Sequence, residues 1–286
     1  MSRWSPRRER FRAILSGKDC IYPGSVFDPI SARIAEDLGF EAGMFAGSVA
    51  SFTVLGAPDI VALTLSEFAD QALRIGRAGE LPLMVDADHG YGNAINVMRT
   101  VESLEFAGIA GLSIEDTQLP VGFGSAGKAQ LTSVEEGIGK MRAALAARRD
   151  PSMVIAGRTS APAITNVADA LRRAKAYEAV GVDAIFLVGI RTRAELDLVA
   201  AEIKLPLILG AAGAELFDQS YLASRGVRIC LQGHQPFMAA VQAVYDTLKA
   251  LRAGTPPAQL ERVAGNELMA RVTRSDAYDK WMKTYL

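Results

Sequence analysis

Asp86 and Asp88 stand either side of Ala87 in the run Val85-Asp86-Ala87-Asp88-His89-Gly90, which directly follows the apolar stretch Leu81-Pro82-Leu83-Met84-Val85. A buried strand that ends in this way projects carboxylates into a mouth, and Glu115 ends another apolar run in the same manner. Carboxylates crowded at one mouth repel one another unless protons or a hard cation intervene. Mg2+ held by one or two of them plus water meets that need. A hydrogen-bonded structural pair is the plainer reading of Asp86 and Asp88. The third carboxylate at Glu115 favours metal-dependent chemistry instead.

Other residues at the ends of apolar runs extend the candidate set. Arg158 places a guanidinium where it can bind a carboxylate through two donors, or pair with a barrel acid such as Glu115, and the two roles are compatible. Ala46-Gly47-Ser48-Val49 offers backbone amides that could receive an anionic oxygen, or is a tight turn. His234 follows Gly233 after the last apolar run, as a substrate contact or a satisfied polar residue, and His89 either orients the loop beside the acids or takes part in catalysis. Asp28, Asp116 and Thr159 complete the set. Gly122 to Lys128 fits G-x-x-x-x-G-K, but Ala129 stands where a phosphate-binding loop needs Ser or Thr, and Leu119-Pro120 before it is no strand. The stretch 121–130 is therefore read as a loop, a candidate lid over the mouth.

These residues need a frame that brings strand ends together. Helical stretches end near a glycine and lead into short apolar runs at Leu38-Gly39-Phe40, Ala107-Gly108-Ile109, Val180-Gly181-Val182 and Arg225-Gly226-Val227. Glycine just past a helix supplies the left-handed residue that turns the chain into the next strand. Strands are predicted over 22–27, 42–46, 83–86, 111–115, 153–157, 184–188, 207–210 and 227–232. Capping boxes are predicted at Thr64/Glu67, Ser133/Glu136 and Thr192/Glu195. Near-continuous apolar strands fit a parallel sheet covered by helices, and eight of them favour a closed (β/α)8 TIM-type barrel with its active site at the C-terminal strand ends.

Ahead of the barrel, the Arg-rich start through Arg12 is read as a helix capped by Ser5 with Pro6 at N1. A last barrel helix over 238–252 is followed by Gly254-Thr255-Pro256-Pro257, which divides a catalytic barrel, 1–253, from a helical tail, 254–286. Trp281, Met282, Tyr285 and Leu286 near the tail's end dock under their own barrel or on a neighbouring subunit.

The 286 residues are 50% hydrophobic and carry a formal net charge of -1 with both signs dispersed, so the chain has no electrostatic footprint for nucleic acid or anionic membrane. No apolar run approaches a membrane span of roughly 18 residues. Cys20 and Cys230, far apart, fit a reducing compartment such as the cytoplasm and no disulfide framework. A small-molecule ligand is the expected partner.

Taken together, the segments Ser25-Val26-Phe27-Asp28-Pro29-Ile30-Ser31-Ala32-Arg33, Gly47-Ser48-Val49-Ala50, Asp86-Ala87-Asp88-His89-Gly90-Tyr91-Gly92, Ile114-Glu115-Asp116 and Gly157-Arg158-Thr159 resemble the isocitrate lyase and phosphoenolpyruvate mutase superfamily along the whole chain. The resemblance implies Mg2+, with Mn2+ as a substitute, bound with an α-keto or α-hydroxy acid, and an enolate as the stabilised species. It implies Asp86 as the direct metal ligand, Asp59, Asp88 and Glu115 as holders of metal-bound water, and Gly47, Ser48 and Arg158 as binders of the substrate carboxylate. It also implies a homotetramer, a dimer of dimers, that exchanges a C-terminal helix.

Phe123-Gly124-Ser125-Ala126-Gly127-Lys128 lacks the catalytic Cys of the carbon–carbon lyases, and Phe186-Leu187-Val188-Gly189 lacks their Glu after the sixth strand. Gly233-His234 resembles the oxaloacetate decarboxylase branch, in which His234 would contact substrate. Thr159-Ser160 departs from the Thr-Asn often seen there, and Leu209-Gly210-Ala211-Ala212 has no Tyr. The expected reaction is Mg2+-dependent decarboxylation of oxaloacetate to pyruvate and CO2, with Arg158 and His234 as the catalytic pair. The alternatives are a lyase of the 2-methylisocitrate or dimethylmalate type, a phosphonopyruvate-processing enzyme, or a noncatalytic barrel that binds keto acids or oxalate.

Overall fold

A computed structural model describes residues 3–125 and 127–286; Ala126 of the candidate lid lies outside the described residues. Eight parallel strands run in sequential order, β1 (Gly24–Ser25), β2 (Gly43–Phe45), β3 (Leu83–Asp86), β4 (Gly111–Glu115), β5 (Val154–Thr159), β6 (Ala184–Val188), β7 (Leu207–Gly210) and β8 (Val227–Cys230). A parallel bridge between Ile21 and Ile229 joins the first strand region to β8, so the sheet closes as a (β/α)8 barrel. The expected β3, β4, β6 and β7 match to the residue. β1, β2 and β8 are shorter than expected and β5 reaches Thr159, because ladder pairing, rather than apolar content, ends a strand.

Strand residues alternate between the barrel interior and the helix-covered face. Met44, Met84, Val154, Ala156, Ala184, Phe186, Ile208 and Ile229 form the inner core. Val85, Leu112, Ile114, Ile155, Ile185, Leu187 and Leu209, one residue out of phase, pack beneath the helices. Phe11 and Leu15 of the first helix, Ser5–Ser16, plug the base of the barrel. A Cβ on Gly111 would lie 2.5 Å from the Phe11 ring, so this strand position must be small for the plug to seat.

The left-handed turns predicted at Gly39, Gly108, Gly181 and Gly226 are present, with φ between 79° and 97°. Reciprocal capping boxes form at Thr64/Glu67 and Thr192/Glu195. Ser133 accepts from the Glu136 amide in a one-sided cap. Ser5 is not a cap: Trp4 occupies that position, and the Ser5 hydroxyl donates to Asp150 at 3.1 Å. The last barrel helix is Gln235–Arg252, starting earlier than expected because Pro236 is tolerated in its first turn.

That helix has no buried residue, and Met238, Val241, Val244, Tyr245 and Leu248 are exposed along it. In the tail, Val272 is buried, Arg33 donates to its carbonyl at 3.1 Å, and Arg274 pairs with Asp37 at 2.7 Å, so helix Asn266–Thr273 docks on its own barrel. Trp281, Met282, Tyr285 and Leu286 in and after helix Ser275–Tyr285 remain exposed.

Candidate active site

A cavity of about 470 Å³ opens at the C-terminal ends of the strands and is lined by Ser48, Asp59, Asp86, Asp88, Glu115, Arg158 and His234 among others. These seven predicted residues therefore meet in one place. Alternation explains much of the convergence: Met84 and Asp86 face inward on β3, Ser113 and Glu115 on β4, and Ala156 and Arg158 on β5. Register does the rest, setting Glu115 beside Arg158 and Arg158 beside Phe186.

Arg158 is the centre of charge. Its Nη1 hydrogen-bonds Asp86 Oδ2, its Nε lies 3.2 Å from Glu115 Oε2 in an ion pair outside hydrogen-bond geometry, and its guanidinium sits 5.2 Å from the centre of the Phe186 ring. Burial alone would lower its pKa, but Asp86 and Glu115 outweigh that and hold it raised. The other oxygen of Asp86 accepts from Ser113 Oγ at 3.0 Å and from the Asp88 amide at 3.3 Å.

Burial, with Asp86 and Glu115 nearby, pushes the Asp88 carboxyl well above the usual carboxylate range. Glu115 is raised chiefly by burial, with Arg158 opposing, and Asp59 is raised by burial and then by Asp86. Four carboxylates thus share one guanidinium in this cavity. The excess negative charge and the oxygen-only donor set fit a hard divalent cation. Among the described residues no three acidic, His or Cys side chains close around a single point as a metal cage would. Mg2+ does not require one, because it is commonly held by one or two carboxylates and keeps several waters.

Gly47 contributes through what it lacks. A Cβ there would fall 2.6 Å from an Asp88 carboxylate oxygen, so the backbone of Gly47–Ala50 and the Asp88 side chain approach closely only because this residue is glycine. Asp88 itself has φ 48°, a left-handed residue that turns its carboxylate back toward the cluster. His234 immediately precedes helix Gln235–Arg252, four residues past the end of β8, and its Nδ1 lies 3.0 Å from Ser25 Oγ. Burial lowers its pKa against the pull of Asp86 and Asp59, which favours the neutral imidazole.

Four candidates have other work. Asp28 caps helix Pro29–Asp37 by accepting from the Ser31 amide at 2.6 Å. Thr159 accepts from the Ala161 amide at 3.2 Å. His89 is buried, and desolvation followed by Lys140 pushes its pKa down to about 4; its carbonyl accepts from Lys140 Nζ at 3.0 Å, so it orients the loop. Asp116 is fully buried on the helix side, taking hydrogen bonds from Tyr177 at 2.6 Å and Arg173 at 2.9 Å. Arg173 also donates to the Thr132 carbonyl, and a bridge between Thr117 and Leu131 closes the base of the loop that carries the candidate lid.

Sequence reasoning missed Ser113, Ser25, Thr117 and Phe186. Ser113 was available from its place in phase with Glu115. Ser25 and Phe186 depend on cross-strand register and on barrel closure, which no local pattern reveals.

Residues 11–252 match the phosphoenolpyruvate phosphomutase family. The chain belongs to this family. An oxaloacetate decarboxylase of Bradyrhizobium diazoefficiens is 62% identical over 268 residues, covering 94% of this chain and 93% of the relative. Among family structures, a phosphonopyruvate hydrolase in complex with oxalate and Mg2+ superposes with a TM-score of 0.85 at 26% identity, covering 98% of this chain and 99% of the other. An oxaloacetate acetylhydrolase in complex with the product oxalate does so with a TM-score of 0.85 at 26% identity, covering 98% of each chain. The neighbours in structure share the barrel; the choice of reaction rests on the near relatives and on the residues of the cavity.

Proposed function

We propose that this chain is a Mg2+-dependent oxaloacetate decarboxylase, a lyase that converts oxaloacetate to pyruvate and CO2, with Mn2+ as a competent substitute. The observation that carries the reading is the convergence of Asp86, Asp88 and Glu115 with Arg158 and His234 in one cavity of a chain 62% identical to an oxaloacetate decarboxylase. Asp86 would hold the cation directly, with Asp59, Asp88 and Glu115 acting through water. When bound, Mg2+ supplies Lewis-acid stabilisation of the charge that collects on the C2 oxygen, worth several kcal/mol.

The protein's own groups do the positioning. Arg158 has donors beyond those given to Asp86 and Glu115, and with Ser48 and the Gly47 backbone it holds the C1 carboxylate. His234, fixed through Nδ1 by Ser25, presents its other face to the substrate. The C3–C4 bond breaks, its electron pair forms the C2–C3 double bond as the carbonyl π pair moves to the C2 oxygen to give the enolate of pyruvate, and C4 departs as CO2. Water returns a proton to C3. No thiol is required, in keeping with the cysteine-free stretch from Phe123 to Lys128.

The assembly we infer is a homotetramer of barrels, 1–253, that exchange the last helix, Ser275–Tyr285, of the tail 254–286 while helix Asn266–Thr273 stays on its own barrel. Its support is the helix Gln235–Arg252 without a buried residue and the exposed Trp281 and Met282. The unpaired, buried Cys20 and Cys230 suit a reducing cytoplasm, and among the described residues no helix is long and apolar enough to cross a membrane.

Purified protein with Mg2+ is expected to release CO2 and pyruvate from oxaloacetate well above the metal-only rate, and Asp86→Ala to lower that rate by about a thousandfold or more. Turnover at the metal-only level, or faster turnover of 2-methylisocitrate, dimethylmalate or phosphonopyruvate in the same panel, refutes the assignment.

A further inference from the structure

The inward-facing positions at the top of the barrel divide into two halves. On β3, β4 and β5 they are Asp86, Glu115 and Arg158. On β6, β7 and β8 the same alternation gives Val188, Gly210 and, just past β8, Leu231, and all three line the cavity. Ala211 and Ile164 extend this second face. Ala211 is exposed and has φ 49°, a left-handed conformation unusual for a residue other than glycine, and this turns the chain back at the mouth. Among the described residues lining the cavity, Arg158 is the one permanent cation, and it is already shared between Asp86 and Glu115.

A four-carbon keto diacid held through C1 at Arg158 and Ser48, with its carbonyl toward the acidic cluster, has its C3–C4 arm directed away from β3–β5. We propose that Val188, Ala211 and Leu231 form the leaving-group wall: an uncharged surface that receives the carboxylate destined to become CO2. The assignment rests on the decarboxylase reading and deepens it by locating the residues that select this bond for cleavage. A carboxylate against an apolar face has exchanged water for a poor partner, whereas CO2 is neutral and loses nothing there. The wall therefore favours the transition state, in which charge has begun to leave C4, over the bound ground state. A cation placed on this wall would do the reverse. It would bind the diacid more tightly and retain the carboxylate.

The test is a charge swap at the wall, Leu231→Lys against Leu231→Glu, with Ala211→Lys as a second site whose exposure makes it less demanding of the fold. Lys at either position is expected to lower kcat for CO2 release about tenfold while lowering KM about threefold, and Glu to raise KM about tenfold. Affinity for oxalate in the presence of Mg2+, measured by calorimetry, is expected to stay within about twofold of wild type, because oxalate has no departing arm. KM values that move in the same direction for Lys and Glu, or oxalate affinity that falls in parallel with kcat, overturn the wall. Wild-type activity with undiminished kcat in both Lys variants overturns the wall alone. A wild-type protein that releases no CO2 from oxaloacetate overturns the decarboxylase reading, and the wall with it.

Discussion

The base and the mouth of this barrel both bury charge, and they treat it in opposite ways. At the base, Arg8 is buried and donates to the carbonyls of Ile109 and Glu105 and to Asp150 at 2.7 Å. Asp183 pairs with Arg12 at 2.8 Å and with Arg148, and accepts from the Ile155 amide at 2.8 Å. Most of these charges have counter-charges and hydrogen bonds, so the base holds the first helix to the barrel. At the mouth, Asp59, Asp86, Asp88 and Glu115 share Arg158. Buried carboxylates left in excess destabilise the metal-free fold. The two ends separate a region organised for stability from one organised for binding.

Removing Asp86, whose loss is expected to end turnover, probes the mouth alone and should leave the unfolding midpoint near that of the wild type. The converse experiment is Arg8→Ala, which strands Asp150 and empties a buried guanidinium site. It is expected to cost about 3–5 kcal/mol in urea unfolding while the folded fraction keeps its kcat. An Arg8→Ala variant that loses kcat without losing stability would erase the contrast between the two ends.

The pH dependence of stability should also have opposite signs at the two ends. Hydrogen bonds from Ser152 and Arg8 hold the Asp150 carboxyl well below the usual range despite the desolvation that would raise it. Its contribution is present above the unfolded pKa and is lost as pH falls toward the folded one. Asp88 is raised, so the folded state binds the extra proton, and the metal-free protein loses stability as pH rises from the unfolded pKa through the folded one. Mg2+ is accordingly expected to raise the melting temperature more at pH 8 than at pH 5.5. Equal shifts at both values would mean that the acidic cluster is not where the cation binds. The smallest effect expected is from Gly47→Ala, a loss of about tenfold in activity through displacement of Asp88, with little change in stability.

The strand-end acids were legible because a parallel barrel strand announces itself by an apolar run and a polar stop. Asp116 shows where that signal fails. It lies one residue beyond the inward-facing Glu115, and the same alternation that turns Glu115 into the cavity turns Asp116 out toward Tyr177 and Arg173. Reading the phase, rather than the mere presence of a carboxylate, would have separated the two. Asp28 was misplaced for a different reason: an acid just before Pro29 is both a strand-end residue and a helix cap, and the cap prevails. The neutral half of the mouth showed in the sequence only as a missing Glu and a missing Tyr, not as a surface, because Val188, Gly210 and Leu231 continue the apolar pattern of their strands.

The contact between Ser25 and His234 spans the seam at which Ile21 meets Ile229. In the order of synthesis, Asp59, Asp86, Asp88 and Glu115 all precede the midpoint of the chain, and Arg158 follows soon after it. The ring cannot close, and the histidine cannot be fixed, until β8 has followed. A chain cut short before that point would carry the groups proposed to hold the cation but lack the seam, so the last step in building the barrel is also the step that completes the site.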